Sequence, residues 1–402
     1  MSDRPQAGTG LSAGPGPRVL AALIVGQLGL HSAMAGLRLA APLQTLREGY
    51  SAWSVGLLLA LFAAAPVLMA MRAGRMIDRM GYHGPVRLAV ALAVAGMALA
   101  VASTFFGGWT HFAMLGGAAA LTGSGANVGM LAIQRTAALS ARTSAERVRI
   151  FSWLGVAPPL SNVIGPVAVG FVIDLAGFVW AYALLLVLPL ATVWSARSVP
   201  RSAPPLRHDA PGHGPASELL RSPGMKRLLM VNWLLATAWD VHTFAIPILG
   251  HERHYSATTI GLILGCFTAA VTGIRLVLPL AAHRLPEVLV IRTAMLGSGL
   301  VLLAYTLTAT PGQMIACALA LGVTLGMAQP MIMSTLHRLT PDDRHGEALA
   351  FRSMAINGSS ALMPLVFGAA GAVVGASVLF WVVGSVVGAG SWVARRLEGV
   401  GG

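Results

Sequence analysis

Charge, aromatic rings and thiols are all scarce in this chain. Of its 402 residues only 10% are Asp, Glu, Lys or Arg and 6% are Phe, Trp or Tyr, whereas a water-soluble globular chain carries about 25% charged residues. That shortage excludes an ordinary soluble protein. Cysteine occurs twice, as Cys266 and Cys317, each inside an apolar run and without CxxC or Cys/His spacing, which excludes a disulfide framework, a zinc site and a redox motif. There is no HExxH, no GxSxG, no pair of aspartates within an apolar run and no appended soluble domain, so no catalytic or sensing constellation is available and the chain is read as a non-enzyme without a cofactor.

What the chain has in quantity is apolar sequence, at 56% with a mean hydropathy of +0.74. A membrane span needs roughly 20 predominantly apolar residues, and twelve such stretches can be read. They are 19–41, 52–71, 86–106, 110–133, 150–173 and 178–196, then 228–249, 257–281, 288–309, 312–335, 351–373 and 377–394. The longest polar stretch between them, 197–227, holds six basic residues and the prolines Pro200, Pro204, Pro205, Pro211 and Pro215, which is linker composition. The division is then a tail over 1–18, a six-helix bundle over 19–196, a linker over 197–227, a second bundle over 228–394 and a tail over 395–402.

The formal charge of +13 resembles that of a nucleic-acid binder, but its distribution argues for a membrane. With the N-terminus cytoplasmic, 23 of the 27 Lys and Arg fall at inner ends and inner loops; Arg47 and Arg253 lie outside, and Arg38 and Arg275 within spans. The positive-inside rule therefore places both termini in the cytoplasm of a bacterial-type inner membrane, and assigns the basic residues to topology and lipid headgroups, with no nucleic-acid partner. Arg4 and Arg18 ahead of an apolar run resemble a secretory signal, but an internal repeat argues against cleavage. At an offset of 205, eight of fifteen positions in 51–65 and 256–270 are identical, and Pro42 falls on Pro247; at an offset of 198, Pro166 and Gly170 fall on Pro364 and Gly368. Two copies of a six-helix unit is the economical reading. Halves repeated in this way are how many secondary transporters are built, with the substrate site at midplane between them. The fold expected is an all-α membrane protein of 12 transmembrane helices in two pseudo-symmetric six-helix bundles.

Between the second and third spans the chain reads Gly74-Arg75-Met76-Ile77-Asp78-Arg79-Met80-Gly81. This resembles the GxxxD(R/K)xG loop signature of the major facilitator superfamily, in the loop where that family carries it. The residues alone suggest that Gly74 admits a close helix, Gly81 a tight turn, and that Asp78 faces the positive end of a neighbouring helix, with Arg135 as a candidate partner. The resemblance implies a gating latch in which Asp78 docks at the start of span 11, while Arg75 and Arg79 face the acids of Asp342-Asp343-Arg344-His345-Gly346-Glu347; a plain charged loop that only sets topology is the alternative. Gly165-Pro166-Val167-Ala168-Val169-Gly170 in span 5 is similar to the glycine-proline motif of the family's drug/proton antiporters. It implies export and a kinked, tightly packed helix, although the glycine pair that usually follows is missing. The arginine that such antiporters commonly place in the fourth helix is also missing; Gly116, Ala120, Ser124, Gly125 and Gly129 there read as packing positions.

An ionisable side chain at bilayer depth is a candidate functional residue, because it is costly unless it faces protein or water. His31 and Arg38 lie seven residues apart, on one stripe of span 1. Asp240, mid-span in helix 7, is the only acid deep within a span, and the offset of 205 places it level with Ala35, between them. Two readings stay open: Asp240 carries a transported proton, or it forms a fixed ion pair with Arg38. His242 reads as a packing histidine and Arg275 as a snorkelling residue near the inner interface. Asn162 and Asn357 are candidate cavity amides. The expected activity is proton-coupled export of a small organic molecule by alternating access, with the proton as coupling ion and a monomer as the unit. The alternative is proton symport or exchange of an organic anion, motivated by the excess of Arg38 and His31 over the single Asp240.

Overall fold

The computed structural model describes residues 16–140, 143–200, 222–281, 286–341 and 344–397. It is helical throughout. The first half contains α1 (Pro17–Arg47), α2 (Ala52–Met80), α3 (His83–Ser103), α4 (Gly108–Ser140), α5 (Ser144–Leu154), α6 (Ala157–Ala176) and α7 (Phe178–Ala196). The second contains α8 (Pro223–Glu252), α9 (Ala257–Ala281), α10 (Glu287–Tyr305), α11 (Pro311–Arg338), α12 (His345–Val374) and α13 (Ala376–Arg395). Helices are the natural answer to this composition, because a backbone in lipid must satisfy its own hydrogen bonds.

Each of the twelve sequence-read spans falls on one of these helices, with one difference. The fifth is broken: α5 ends at Leu154 and α6 begins at Ala157, with Pro158 and Pro159 in its first turn. Proline is tolerated there but cannot continue a preceding helix, and α12, the counterpart in the second half, has no such pair and runs unbroken. Among the described residues nine helices are long and apolar enough by composition alone to cross a membrane. In α2 the described apolar stretch is Ala52–Leu68. In α8 the run is diluted by Asn232, Asp240 and His242, and in α4 by many small residues.

The turns carry the same repeat as the helices. Gly177 (φ 85°) joins α6 to α7, and Gly375 (φ 84°), 198 positions later, joins α12 to α13. After α1 the turn uses Gly49 (φ 85°); 205 positions later, after α8, it uses His254 (φ 57°), the only non-glycine with positive φ among the described residues.

The ends of the chain define two faces. One, the terminal face, brings His83 against the Val199 carbonyl at 3.0 Å and Arg227 against the Arg396 carbonyl at 3.2 Å. The opposite, distal face is where the halves meet. There α2 lies against α12 and α6 against α9 so closely that a Cβ on Gly56 would collide with the Pro364 carbonyl and Gly368, and one on Gly261 with the Pro166 carbonyl. Gly170 likewise abuts Ala257 and Thr258. The two seams are related by the repeat: Gly56 and Gly261 are equivalent, as are Pro166 with Pro364 and Gly170 with Gly368. Towards the terminal face Leu68 of α2, Leu276 and Val277 of α9 and Met354 of α12 are exposed, and nothing lies within 4 Å of the Cβ positions of Gly273 and Gly358.

A carboxylate closes the α6–α9 seam. Asp174 accepts from the backbone N–H groups of Ala257 (3.0 Å) and Thr258 (2.7 Å), so a side chain of the first half caps the first turn of a helix in the second. Arg47, 3.8 Å from Asp174, lies over the Phe178 ring at 5.4 Å. Thr258 and Ala257 would otherwise expose two of the donors that every helix N-terminus leaves over. Sequence reading missed Asp174, which lies one residue beyond span 5.

Two outcomes follow for stability. Gly56→Val and Gly261→Val force a side chain onto rigid backbone and each should lower the thermal midpoint, by the equivalent of about 1–3 kcal/mol, whereas Gly273→Ala and Gly358→Ala, with open space, should be neutral or stabilising. Asp174→Ala should cost about 0.5–2 kcal/mol, the range for a lost N-cap, and Asp174→Asn less. Thermal unfolding of the purified variants measures each.

Candidate functional site

Two cavities lie between the bundles and share Arg38 and Trp239. The first, about 80 Å³, is bounded by Ala35 and Arg38 of α1, Asn162 and Pro166 of α6, and Thr243 and Phe267 of the second half. The second, about 180 Å³, lies nearer the terminal face and is bounded by Arg38, Asp240, Arg275, Gln329 and Ser360. Both are smaller than the roughly 300–1,000 Å³ of drug-sized sites.

Asp240 is buried on α8, and its carboxylate faces α12, where it accepts from Ser359 Oγ at 2.8 Å and from Ser360 Oγ at 3.4 Å. Arg38 reaches the same cavity from α1, within electrostatic range of Asp240, but the two do not form an ion pair within 4.0 Å. Trp239, the neighbour of Asp240, packs edge-on against Phe267 with centroids 4.6 Å apart and forms the wall between the cavities.

The remaining candidates separate into those the fold brings together and those it does not. Asn162 joins Arg38 at the first cavity. His31, one stripe-length away on α1, lines neither cavity, and its Nδ1 is buried without a partner. Asn357 is exposed on α12 and lines neither cavity. His242 Nε2 lies 3.0 Å from the Tyr305 hydroxyl and its ring 4.3 Å from Phe267, the surroundings of a packing histidine. Arg275, expected to snorkel, instead lines the second cavity, because α9 turns that face towards α11 and Gln329. Gln329 in turn accepts from Arg352 of α12; sequence reading assigned neither Gln329 nor Arg352 a role.

Of the loop signature, Gly81 ends α2 with φ 66° and donates its N–H to the Ile77 carbonyl, and Arg79 is exposed. The side chains of Gly74, Arg75 and Asp78, residues 342–343 and the side chains of 345–347 lie outside the described residues, as do His283 and Arg284. Arg135 is half-buried near the terminal-face end of α4. Gly165 and Pro166 serve two different contacts: a Cβ on Gly165 would strike the Ser32 carbonyl and Gly36 of α1, while Pro166 presents its carbonyl to Gly261. In α4, Gly125 faces the Ala89 carbonyl and Gly129 faces Leu30, both packing contacts. No group of three or more His, Cys, Asp or Glu side chains that could hold a metal ion occurs among the described residues.

The profile of the Major Facilitator Superfamily matches residues 23–238 and again 228–399, once for each half. Among solved structures, a POT family transporter in complex with 5-aminolevulinic acid superposes with a TM-score of 0.76 at 12% identity, over 95% of this chain and 97% of that one. A bacterial homologue of the iron transporter ferroportin in an inward-facing state gives 0.73 at 17% identity, over 96% of this chain and 100% of that one. At such identities the likeness is one of fold. No curated protein matches the sequence. The profile spans both repeats and the architecture agrees with it over nearly the whole chain, so this protein belongs to the Major Facilitator Superfamily and is a transporter.

Proposed function

We propose that this transporter couples the movement of a small organic anion to that of a proton, with Asp240 as the proton site and Arg38 and Arg275 facing the anion. The carrying observation is the charge of the second cavity: one carboxylate, held by two serines, shares it with two arginines. A carboxylate held by hydroxyls can gain a proton without breaking an ion pair. Serine oxygens donate to the ionised form and equally accept from the neutral one.

The positive-inside distribution supports a bacterial inner membrane with the terminal face in the cytoplasm, so that the distal seam is the outer gate and the described conformation opens inward. Alternating access then requires the α2–α12 and α6–α9 seams to part while the terminal-face ends of the same helices close. Each chain holds a whole path, which supports a monomer as the unit. Export of a neutral or cationic molecule in exchange for protons is the second reading, supported by Gly165 and Pro166 standing in helix contacts at and beside the outer gate.

Reconstituted protein, liposomes loaded with a pH-sensitive dye and a panel of small carboxylates, phosphates, cations and neutral compounds form the test. An anion should move protons with the native protein. Asp240→Asn should abolish pH-driven accumulation yet retain anion exchange, and should cost only about 1 kcal/mol of stability, the worth of an ordinary hydrogen bond. A fixed Arg38–Asp240 pair would instead cost about 3–5 kcal/mol on breaking, and adding Arg38→Gln would restore both stability and pH-driven transport. That restoration would rule Asp240 out as the proton site.

A further inference from the structure

Beyond Arg38 and Asp240, a second cationic cluster stands on the terminal-face side of the cavity. Arg275 of α9 and Gln329 of α11 line it, and Arg352 of α12 stands behind, donating to Gln329 Oε1. The Nε–H groups of both Arg275 and Arg352 are buried without a hydrogen-bond partner, and the two guanidinium charges are close enough to repel. Among the described residues no carboxylate lies within 4.0 Å of Arg38, Arg275 or Arg352.

Donors outnumber acceptors in this cavity: Gln329 presents its amide N–H groups beside the Arg275 guanidinium while its carbonyl accepts from Arg352, and Asp240, accepting from Ser359 and Ser360, is the one carboxylate among the described lining residues. A half-buried guanidinium with no carboxylate beside it favours an anionic partner, and its fork of donors matches an oxyanion. Three arginines against one ionised carboxylate leave an excess of two positive charges. Arg38 and Arg275 reach the cavity from different walls, α1 and α9, so a single anionic group placed at one leaves the other unneutralised.

We propose that the transported anion is a dianion, a dicarboxylate or phosphate monoester, with one charge at Arg38 and the other at Arg275, the latter steadied by Gln329 and Arg352. This rests on the anion reading above and adds the second charge and its place. It also makes proton and substrate partners: protonating Asp240 removes the one negative charge that repels the ligand.

The test uses the purified full-length protein in phosphatidylcholine nanodiscs and follows its thermal midpoint against succinate, glycerol 3-phosphate, propionate, succinamide and putrescine. Succinate or glycerol 3-phosphate should raise the midpoint and bind about tenfold or more tightly than propionate, the difference expected of one further charge-assisted hydrogen-bonded contact; succinamide and putrescine should do neither. Arg275→Gln should bring dianion affinity down to that of propionate and leave propionate nearly unchanged, Arg275→Lys should recover part of it, and Arg253→Gln, at the distal face, should change nothing. Dianion binding should tighten as pH falls in the native protein and lose that dependence in Asp240→Asn.

Equal binding of propionate and the dianions would overturn the second charge while leaving the anion reading intact. Succinamide or putrescine binding as well as succinate, or no shift with any dianion, would overturn both. Nanodiscs containing phosphatidylglycerol separate the other source of an oxyanion: a shift produced by that lipid alone, with none added by succinate, would assign the cluster to a headgroup and end the proposal. Should Arg275→Gln fail to fold, the ranking of ligands on the native protein still decides.

Discussion

The close approach of backbone to backbone at the two distal seams is the contact on which the rest of this structure depends. In lipid, apolar side chains gain little by leaving their surroundings for one another, and helices associate through packing and hydrogen bonds, best where small residues let them touch. Gly56 against Pro364 and Gly368, and Gly261 and Gly170 against Pro166 and Ala257, supply that contact twice. Between the bundles, on the terminal-face side of these seams, lies the cavity whose walls carry Arg38, Asp240 and Arg275. A polar cap finishes the α6–α9 seam: Asp174 holds the start of α9 by two backbone hydrogen bonds, contacts that must break and reform if the seam is a moving part.

The scarcity of charge gives each buried ionisable group its meaning. In a soluble protein a carboxylate near an arginine is ordinary surface chemistry, worth little. Here Asp240 is buried, and the fold gives it hydroxyls where a guanidinium would have locked it. His242 shows the contrary case: a titratable ring two residues on, on the other side of α8, is absorbed into packing by Tyr305 and Phe267. Position along a span therefore does not separate a group that lines the cavity from one absorbed into packing; what faces it does.

Much of this was legible in the sequence. The offset of 198 places Pro166 and Gly170 in register with Pro364 and Gly368 in the sequence itself, because residues that let backbones touch cannot be exchanged freely, and a duplicated seam keeps them. Asp240 and Arg38 stood out by the rarity of charge in apolar runs. Arg275 was misjudged because hydropathy gives depth but not azimuth, and an arginine near a span end can snorkel or turn inward with equal ease. Arg352 and Gln329 drew no notice, since each gains its role only from a contact between α11 and α12. Asp174 offered one faint signal: it is among the few acids on the side where charge of either sign is thinnest. The break at Gly155 and Val156 was readable in Pro158-Pro159, but an apolar count runs straight over it.

The halves repeat each other at the seams and diverge at the site, and that divergence bears on how a ligand could drive the cycle. Asp240, Arg275, Gln329 and Arg352 all belong to the second bundle; among the described residues, Arg38 is the one charged group lining the cavity that comes from the first. An anion that spans Arg38 and Arg275 therefore touches both bundles at once, on the terminal-face side of the distal seams. A ligand shifts a conformational equilibrium only by binding its states unequally, and a two-ended ligand does so by geometry, since the distance between its ends suits one separation of the bundles better than another. A one-ended ligand held within the second bundle alone would ride along without favouring closure. On this reading Arg38 of α1 is the means by which occupancy of the cavity is felt across the interface.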